Sequence, residues 1–443
     1  VIERIAILLL VNILFYLKTC GFKYISDDIV SAQRPKEKNK WIHAFWVFEG
    51  RLKSNPQADH FLTTVLHGLV CVGIYLGFGR NDISFIAALF FSFNSINNQG
   101  AVWISGRGYA LSALGMVWAL AVPWMAPLFL LGATYSNAGF LMPLVLVGSN
   151  HPYLLFFMPF IWAFHYRRFR KNVTDKIKME VFAEDKKIHP KKLILATKTF
   201  GFYVSHSLIP IKTSFYHSLL ESIAGSKAYR AYTLCRFFWI GVASISLMLW
   251  YVCFHKWDMI SFGILWWCVG IAPFLNFYRM QQEIGERYAY LPNVGLMVIL
   301  ATLVHSNPYL VGGLIMMYAT KTWFYVNCYK DDYWVVEYAR MHSPDSWFAW
   351  HIAGMKRWEV GSQHEAMIMW AMAKILSPKE FKVLLNLATA VLGVGNIKEA
   401  EDFLSQAEQN IPGGQEKQCM EFVDAFKLYL KSQGKEGRMT ILV

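Results

Sequence analysis

The sequence predicts an all-α protein, a polytopic bundle of about eleven transmembrane helices followed by a short helical-repeat array. Three observations carry that expectation. The 443-residue chain is 55% hydrophobic and only 16% charged, where soluble domains carry about a quarter charged residues. Apolar runs close to span length follow one another as far as residue 327. Beyond it the texture becomes amphipathic, and residues recur at a spacing of about 34.

The expected spans are 2–19, 60–78, 83–97, 108–122, 125–148, 152–166, 193–210, 230–254, 260–277, 288–304 and 308–327. Several are short or interrupted by Pro or Gly, and 125–148 contains the polar pair Ser136-Asn137. The chain opens at Val1 inside an apolar run, so Ile5 to Leu17 is expected to be a span and not a cleaved signal. The net charge of +13 is uneven: Arg167, Arg168, Arg170, Lys171, Lys176, Lys178, Lys186, Lys187, Lys191 and Lys192 crowd one stretch. In a membrane protein such a run reads as a cytoplasmic loop at about 167–192, and nucleic acid is not expected as a partner. Counting spans from it places residue 1 inside, and Gly21 to Asp59 and everything after 327 outside. Arg80 and Lys256 then lie inside, whereas Arg107, Lys212, Arg279 and Arg287 lie outside, against the charge bias. The seven cysteines show no CxxC pair, and most sit in apolar runs as small buried hydrophobes.

Residues 1–328 therefore read as the membrane domain and 329–443 as the helical-repeat domain. Gly361 and Gly395, Ala366 and Ala400, Ala373 and Ala407, and Pro378 and Pro412 repeat at one period, with Pro344 one period earlier. Trp350, Gly354, Ala366, Trp370, Ala373 and Pro378 stand at tetratricopeptide (TPR) spacing, in which small residues let paired helices approach. Repeats are expected at about 345–378 and 379–412, with 415–432 as a capping helix.

Chemistry-bearing residues fall at the span ends. Asp27 and Asp28 follow the first span; paired acids there read as a solvated turn or cap, or as a general base or metal-binding carboxylate pair. His60 and His67, seven apart, share a helix face; without a third ligand in view they read as packed or interfacial histidines. Arg107, in Trp103-Ile104-Ser105-Gly106-Arg107, either snorkels to headgroups or binds phosphate. Glu286-Arg287-Tyr288-Ala289-Tyr290-Leu291-Pro292 brings an ion pair into an apolar run, preceded by Arg279. No Ser/His/Asp arrangement, Walker loop or dinucleotide-binding motif is visible.

Taken in order, these segments resemble the transmembrane-and-TPR O-mannosyltransferase-like proteins and their bacterial relatives, among the GT-C glycosyltransferases. The acid pair looks like that family's aspartate motif, His60 and His67 like its H-x-x-N-x-x-x-H segment with Thr63 for Asn, and Trp103 to Arg107 like its W-I-S-G-R. Residues 286–292 look like its E/D-R-Y-x-Y-L-P, and Ser207 to Pro210 is a fainter echo. The chain departs where the family has H-P-I-H-T-E: it has Asn94-Ser95-Ile96-Asn97-Asn98-Gln99, and Gln99 cannot serve as a carboxylate base. A later Lys-Glu pair is replaced by Asn137-Ala138.

The resemblance implies an integral membrane glycosyltransferase of the bacterial inner membrane or an ER-type membrane, moving a sugar from a polyprenyl-phosphate-linked donor to a protein acceptor. In that expectation Asp27, Asp28 and Glu286 serve acid–base catalysis. Arg107, Arg287, Arg279 and Tyr288 hold the donor phosphate, with His60, His67 and Gln99 as further site residues. Trp350 and Trp370 belong to an extracytoplasmic repeat groove for the acceptor or partner protein. A divalent metal is left open. The alternative is a non-catalytic membrane-anchored repeat scaffold, which gains from the altered 94–99 segment.

Overall fold

In the computed structural model the described residues are 1–33, 44, 47–50, 53–136, 141–149, 151–164, 166, 190–219, 234–277, 284–411 and 416–432. All of their regular secondary structure is helical. The N-terminal helix α1 (Ile2–Tyr16) is followed by a short α2 (Asp27–Ala32), α3 (Pro56–Gly77), α4 (Asp82–Phe93), α5 (Arg107–Ala121) and α6 (Ala126–Ala133). Then come α7 (Pro190–Leu208), α8 (Arg236–Phe254), α9 (Met259–Ile271), α10 (Tyr290–Val304) and α11 (Pro308–Tyr325). The chain closes with α12 (Asp332–His342), α13 (Trp347–Glu359), α14 (Gln363–Leu376), α15 (Phe381–Gly393), α16 (Ile397–Gln409) and α17 (Glu416–Ser432).

Side-chain caps fix many of the starts. Asn55 accepts from the Gln57 N–H, with Pro56 opening α3 where a missing donor costs nothing. Asn81 and Ser84 form a reciprocal capping box on α4, and Asp258, Asn307, Asp331 and Ser346 cap α9, α11, α12 and α13. Helix α3 is the hub of the body, packed against α1, α4 and α5, while α10 lies against α4 and α9. One apolar core runs from Leu8 to Val335; a second, from Met355 to Phe426, holds α13 to α17 together.

The expected eleven-span bundle is corrected here. Among the described residues four helical stretches are long and apolar enough to cross a membrane: Ile2–Gly21, Pro56–Gly77, Arg236–Phe254 and Glu286–Val304. The reason is length and continuity. Asp82–Phe93 has 12 residues, about 18 Å of helix, against a hydrocarbon core of about 30 Å. It ends where Asn94 turns to extended backbone. The expected span 125–148 resolves into Ala126–Ala133 and a 3-10 turn at Met142–Gly148, and 152–166 opens on a 3-10 turn begun by Pro152. Pro190–Leu208 and Pro308–Tyr325 are long enough but less apolar. The topology counted from eleven spans goes with them. What remains is an all-α bundle with a large buried core and four candidate membrane helices.

The periodic C-terminal residues form two antiparallel pairs, α13 with α14 and α15 with α16, and Gly361 and Gly395 take positive φ (82° and 85°) in the equivalent turns. Pro412 and the basic stretch 167–189 lie outside the described residues, as do Asn137, Ala138 and Arg279.

Two helix pairs close on glycine. Gly263 and Gly295 bring α9 and α10 together: a Cβ on Gly263 would stand 2.8 Å from the Gly295 carbonyl oxygen. Gly241 of α8 sits on the Thr197 carbonyl of α7, and Gly201 on the Phe237 carbonyl. Because the obstruction is backbone, a side chain there must separate the helices. Gly241→Leu is expected to destabilise the protein by about 1–3 kcal/mol, seen as an earlier thermal transition in detergent, with Gly241→Ala intermediate. An unchanged transition for both would show that α8 does not pack on α7 in the membrane.

Candidate functional site

The segment between α1 and α3 is held by two buried charge pairs. Asp28, in the first turn of α2, is wholly buried, and its Oδ1 accepts from the Ser105 N–H (2.8 Å) and Oγ (2.5 Å). Lys53 Nζ lies 3.1 Å from the same oxygen and also donates to the Gly50 carbonyl at 2.6 Å. Asp28 Oδ2 is buried with no hydrogen-bond partner among the described residues. Burial pushes the Lys53 ammonium below its ordinary pKa, with Asp28 opposing the shift. Asp27, next door, is exposed.

Arg107 opens α5 fully buried, and its donors are committed. Nε donates to Thr63 Oγ1 (3.1 Å), Nη1 to the Val47 (2.6 Å) and Phe48 (3.2 Å) carbonyls, and Nη2 to the Asp59 carbonyl (2.7 Å). The Asp59 carboxylate stands 3.6 Å from Nη2 and accepts from Tyr24 Oη and the Ser54 N–H. The expected phosphate ligand is thus an internal clamp between the 47–63 segment and α5.

Glu286 is equally engaged. Oε1 accepts from the Ser214 N–H (2.7 Å) and faces His217 Nε2 at 3.1 Å, and Oε2 accepts from Tyr325 Oη (2.9 Å). It ties the 213–217 segment to α11, and its carboxylate pairs with His217, not with Arg287. The His60 ring meets the Val102 and Lys23 carbonyls, and the His67 ring meets Tyr290 Oη (2.6 Å) and the Ser92 carbonyl. The two histidines therefore bond to separate partners. Among the described residues no three His, Cys, Asp or Glu side chains converge on one point. Trp370 is buried with its indole N–H on the His351 carbonyl, and Trp350 donates to the Pro344 carbonyl.

Arg287 differs from these. It is half-buried at the start of the stretch Glu286–Val304, and among the described residues no carboxylate pairs with it. Its guanidinium lies 5.4 Å from the Trp103 ring centroid and 4.8 Å from that of Tyr288, which stacks on Phe274 at 4.6 Å. Gln99 Oε1 accepts from its backbone N–H (3.2 Å) and Nη1 (3.3 Å), and Tyr288 Oη lies 3.4 Å from Nη2. Beside it, Gln99 Nε2 and Trp103 Nε1 are buried donors without a partner. An unmet buried donor costs about 1–3 kcal/mol. Two such donors on residues that touch one guanidinium without a carboxylate partner are N–H groups suited to an oxygen-rich anion.

The first-loop acids share this neighbourhood through Tyr216. Its phenol is raised by burial and further by Asp332 and Asp27, while Arg287 opposes the shift. Ser26 is held at φ 49°, ψ −126°, with its N–H on Asp332 Oδ1 at 2.8 Å, so α2 starts from a strained turn anchored to α12. The altered 94–99 segment is a polar knot. Asn94 Nδ2 donates to the Ser207 carbonyl, Asn97 Nδ2 to the Phe91 carbonyl, and Asn293 Nδ2 to Asn97 Oδ1.

Sequence reasoning placed Arg287, Tyr288 and Gln99 as site residues and the structure brings them into contact. It missed Lys53, Tyr216 and the indole of Trp103. Lys53 carries no signal in a polar stretch whose partner lies 25 positions away; the tryptophan was visible only as part of a motif. Compared with known proteins, the chain matches no family model, no curated protein and no solved structure. The resemblance to GT-C glycosyltransferases and the tetratricopeptide assignment are corrected accordingly. The polytopic body that the GT-C resemblance requires is replaced by four candidate membrane helices among the described residues. Arg107 and Glu286, assigned to donor and catalysis, are occupied in holding the fold.

Proposed function

We propose that this chain is a membrane-seated binding protein that takes the phosphate of an anionic amphiphile at Arg287. The observation that carries the reading is the half-buried guanidinium with no carboxylate among the described residues, flanked by the buried, unpartnered donors of Gln99 and Trp103. Its level supports an amphiphile over a freely soluble anion. Arg287 stands in the first turn of a stretch apolar enough to cross a bilayer, where that helix would enter the headgroup region. The aromatic rings of Trp103, Tyr109 and Tyr288 suit the same depth. A phosphate there would accept from the guanidinium fork, Gln99 Nε2 and Trp103 Nε1 together.

The test is titration of a short-chain phosphatidic acid onto the full protein in neutral detergent. Arg287→Gln keeps a hydrogen-bond donor and removes the charge. It is expected to weaken binding by about 10- to 100-fold, the equivalent of about 1.5–3 kcal/mol for a charge-assisted hydrogen bond. A short-chain phosphatidylcholine, whose choline screens the phosphate, should bind weakly to both forms. Equal affinity of parent and variant for the acid would contradict the proposal.

A further inference from the structure

The C-terminal helix pairs α13 with α14 and α15 with α16 carry a second feature unrelated to Arg287. Helices α14 and α16 are separated by a groove of about 630 Å³, floored by Leu387 and Val391 of α15. Along the α14 wall, Ile368, Ala371 and Ile375 follow at i, i+3 and i+7, and the two isoleucines are 48% and 70% exposed. That is the seam of a helix that packs on another helix. It is also the reverse of what a solvent-facing helix position needs. On the opposite wall Phe403 lies under Lys374, 4.3 Å from ring centroid to ammonium.

The charge of the two walls differs. Helix α16 has four carboxylates (Glu399, Glu401, Asp402 and Glu408) against one lysine, in a protein whose net charge is +13. Glu399 lines the groove, Asp402 follows it by one helical turn, and both residues are exposed. Neither faces a cation within ion-pair distance among the described residues. Helix α14 places only Lys374 and His364 along its own edge.

We propose that this groove binds an amphipathic helix of a partner protein, with aliphatic side chains on the α14 seam and basic residues facing α16. The spacing of the seam selects a helix over an extended peptide, because an extended strand presents side chains at a period of two. The acidic wall sets the sign of the partner's flank and its direction across the groove. A lipid surface fits less well, since the acidic edge would face anionic headgroups.

The experiment uses the full chain in phosphatidylcholine nanodiscs, read by anisotropy against empty discs. Two labelled helical peptides of about 18 residues carry leucine at i, i+3, i+4 and i+7, one with lysines and the other with glutamates along one flank. The lysine peptide should bind in preference. Ile375→Asp, at a position 70% exposed and therefore neutral to folding, should weaken it about tenfold. The double variant Glu399→Lys with Asp402→Lys should invert the preference, a result that general loss of structure cannot produce. Equal binding of both peptides by the parent, or no effect of Ile375→Asp, would overturn the proposal. Self-association abolished by Ile375→Asp would also overturn it, by giving the groove to a second copy. Arg287→Gln should leave peptide binding unchanged.

Discussion

Replacing Arg107 with alanine is expected to cost about 3–5 kcal/mol of stability, the range for breaking a buried ion pair by removing one partner. The side chain is wholly buried and spans Thr63, the Val47, Phe48 and Asp59 carbonyls and the Asp59 carboxylate. Alanine leaves three carbonyl oxygens short of a donor and a buried carboxylate without its cation. It also leaves a cavity that side chains across the α3–α5 contact cannot fill without moving. Lysine should recover only part of the loss, because a single ammonium cannot serve a planar fork of donors. Thermal unfolding in detergent reads the effect. A variant that melts like the parent but loses phosphate affinity would assign Arg107 to ligand after all.

Asp28→Asn should act through Lys53, and in a pH-dependent way. In the folded parent the lysine already sits below its ordinary pKa of 10.5, because burial outweighs the attraction of Asp28. The unfolded chain therefore holds that proton more tightly, and the lysine's contribution to stability rises with pH from the folded pKa up to the ordinary one. Asparagine removes the attraction and leaves burial alone, so the folded pKa falls further and the rising window opens at lower pH. At neutral pH the broken pair should cost up to about 3–5 kcal/mol. The deficit relative to the parent should shrink as pH rises from neutral toward the ordinary lysine value of 10.5, because Lys53 gives up its proton earlier in the variant than in the parent. A deficit constant across that range would mean that Lys53 is solvated in the folded protein.

Helix type was legible throughout, because apolar runs without alternation leave few other readings and caps such as Asn55-Pro56 and Asn81 with Ser84 mark the starts. Span number was not. Composition reports how apolar a run is, but not whether Asn94, Pro143 or Pro152 will end its helix before it has crossed a bilayer. Charged residues were the hardest to read. Asp28, Arg107 and Glu286 read as chemistry because a charge beside an apolar run is costly. Each in fact satisfies that cost with backbone partners far away in sequence: Ser105, Val47 and Ser214. Nothing local distinguishes a committed arginine from an available one. Arg107 and Arg287 both open an apolar helical segment, and only tertiary contact shows that one is closed by carbonyls while the other lies beside residues with unmet donors. Gly361 and Gly395, one period apart, both turn at positive φ between paired helices, which is a local requirement, but the period does not make the pairs a tetratricopeptide array. It carried no information on the groove between α14 and α16, which depends on how successive pairs stack.

The central claim is that the Arg287 guanidinium is held open for an anion from outside the chain. Its most direct test is an experimental density map of the protein reconstituted with phosphatidic acid. The account predicts a phosphate within hydrogen-bond reach of the Arg287 Nη atoms, Gln99 Nε2 and Trp103 Nε1. A guanidinium closed instead by a carboxylate of the chain itself, with no phosphate beside it, would contradict it.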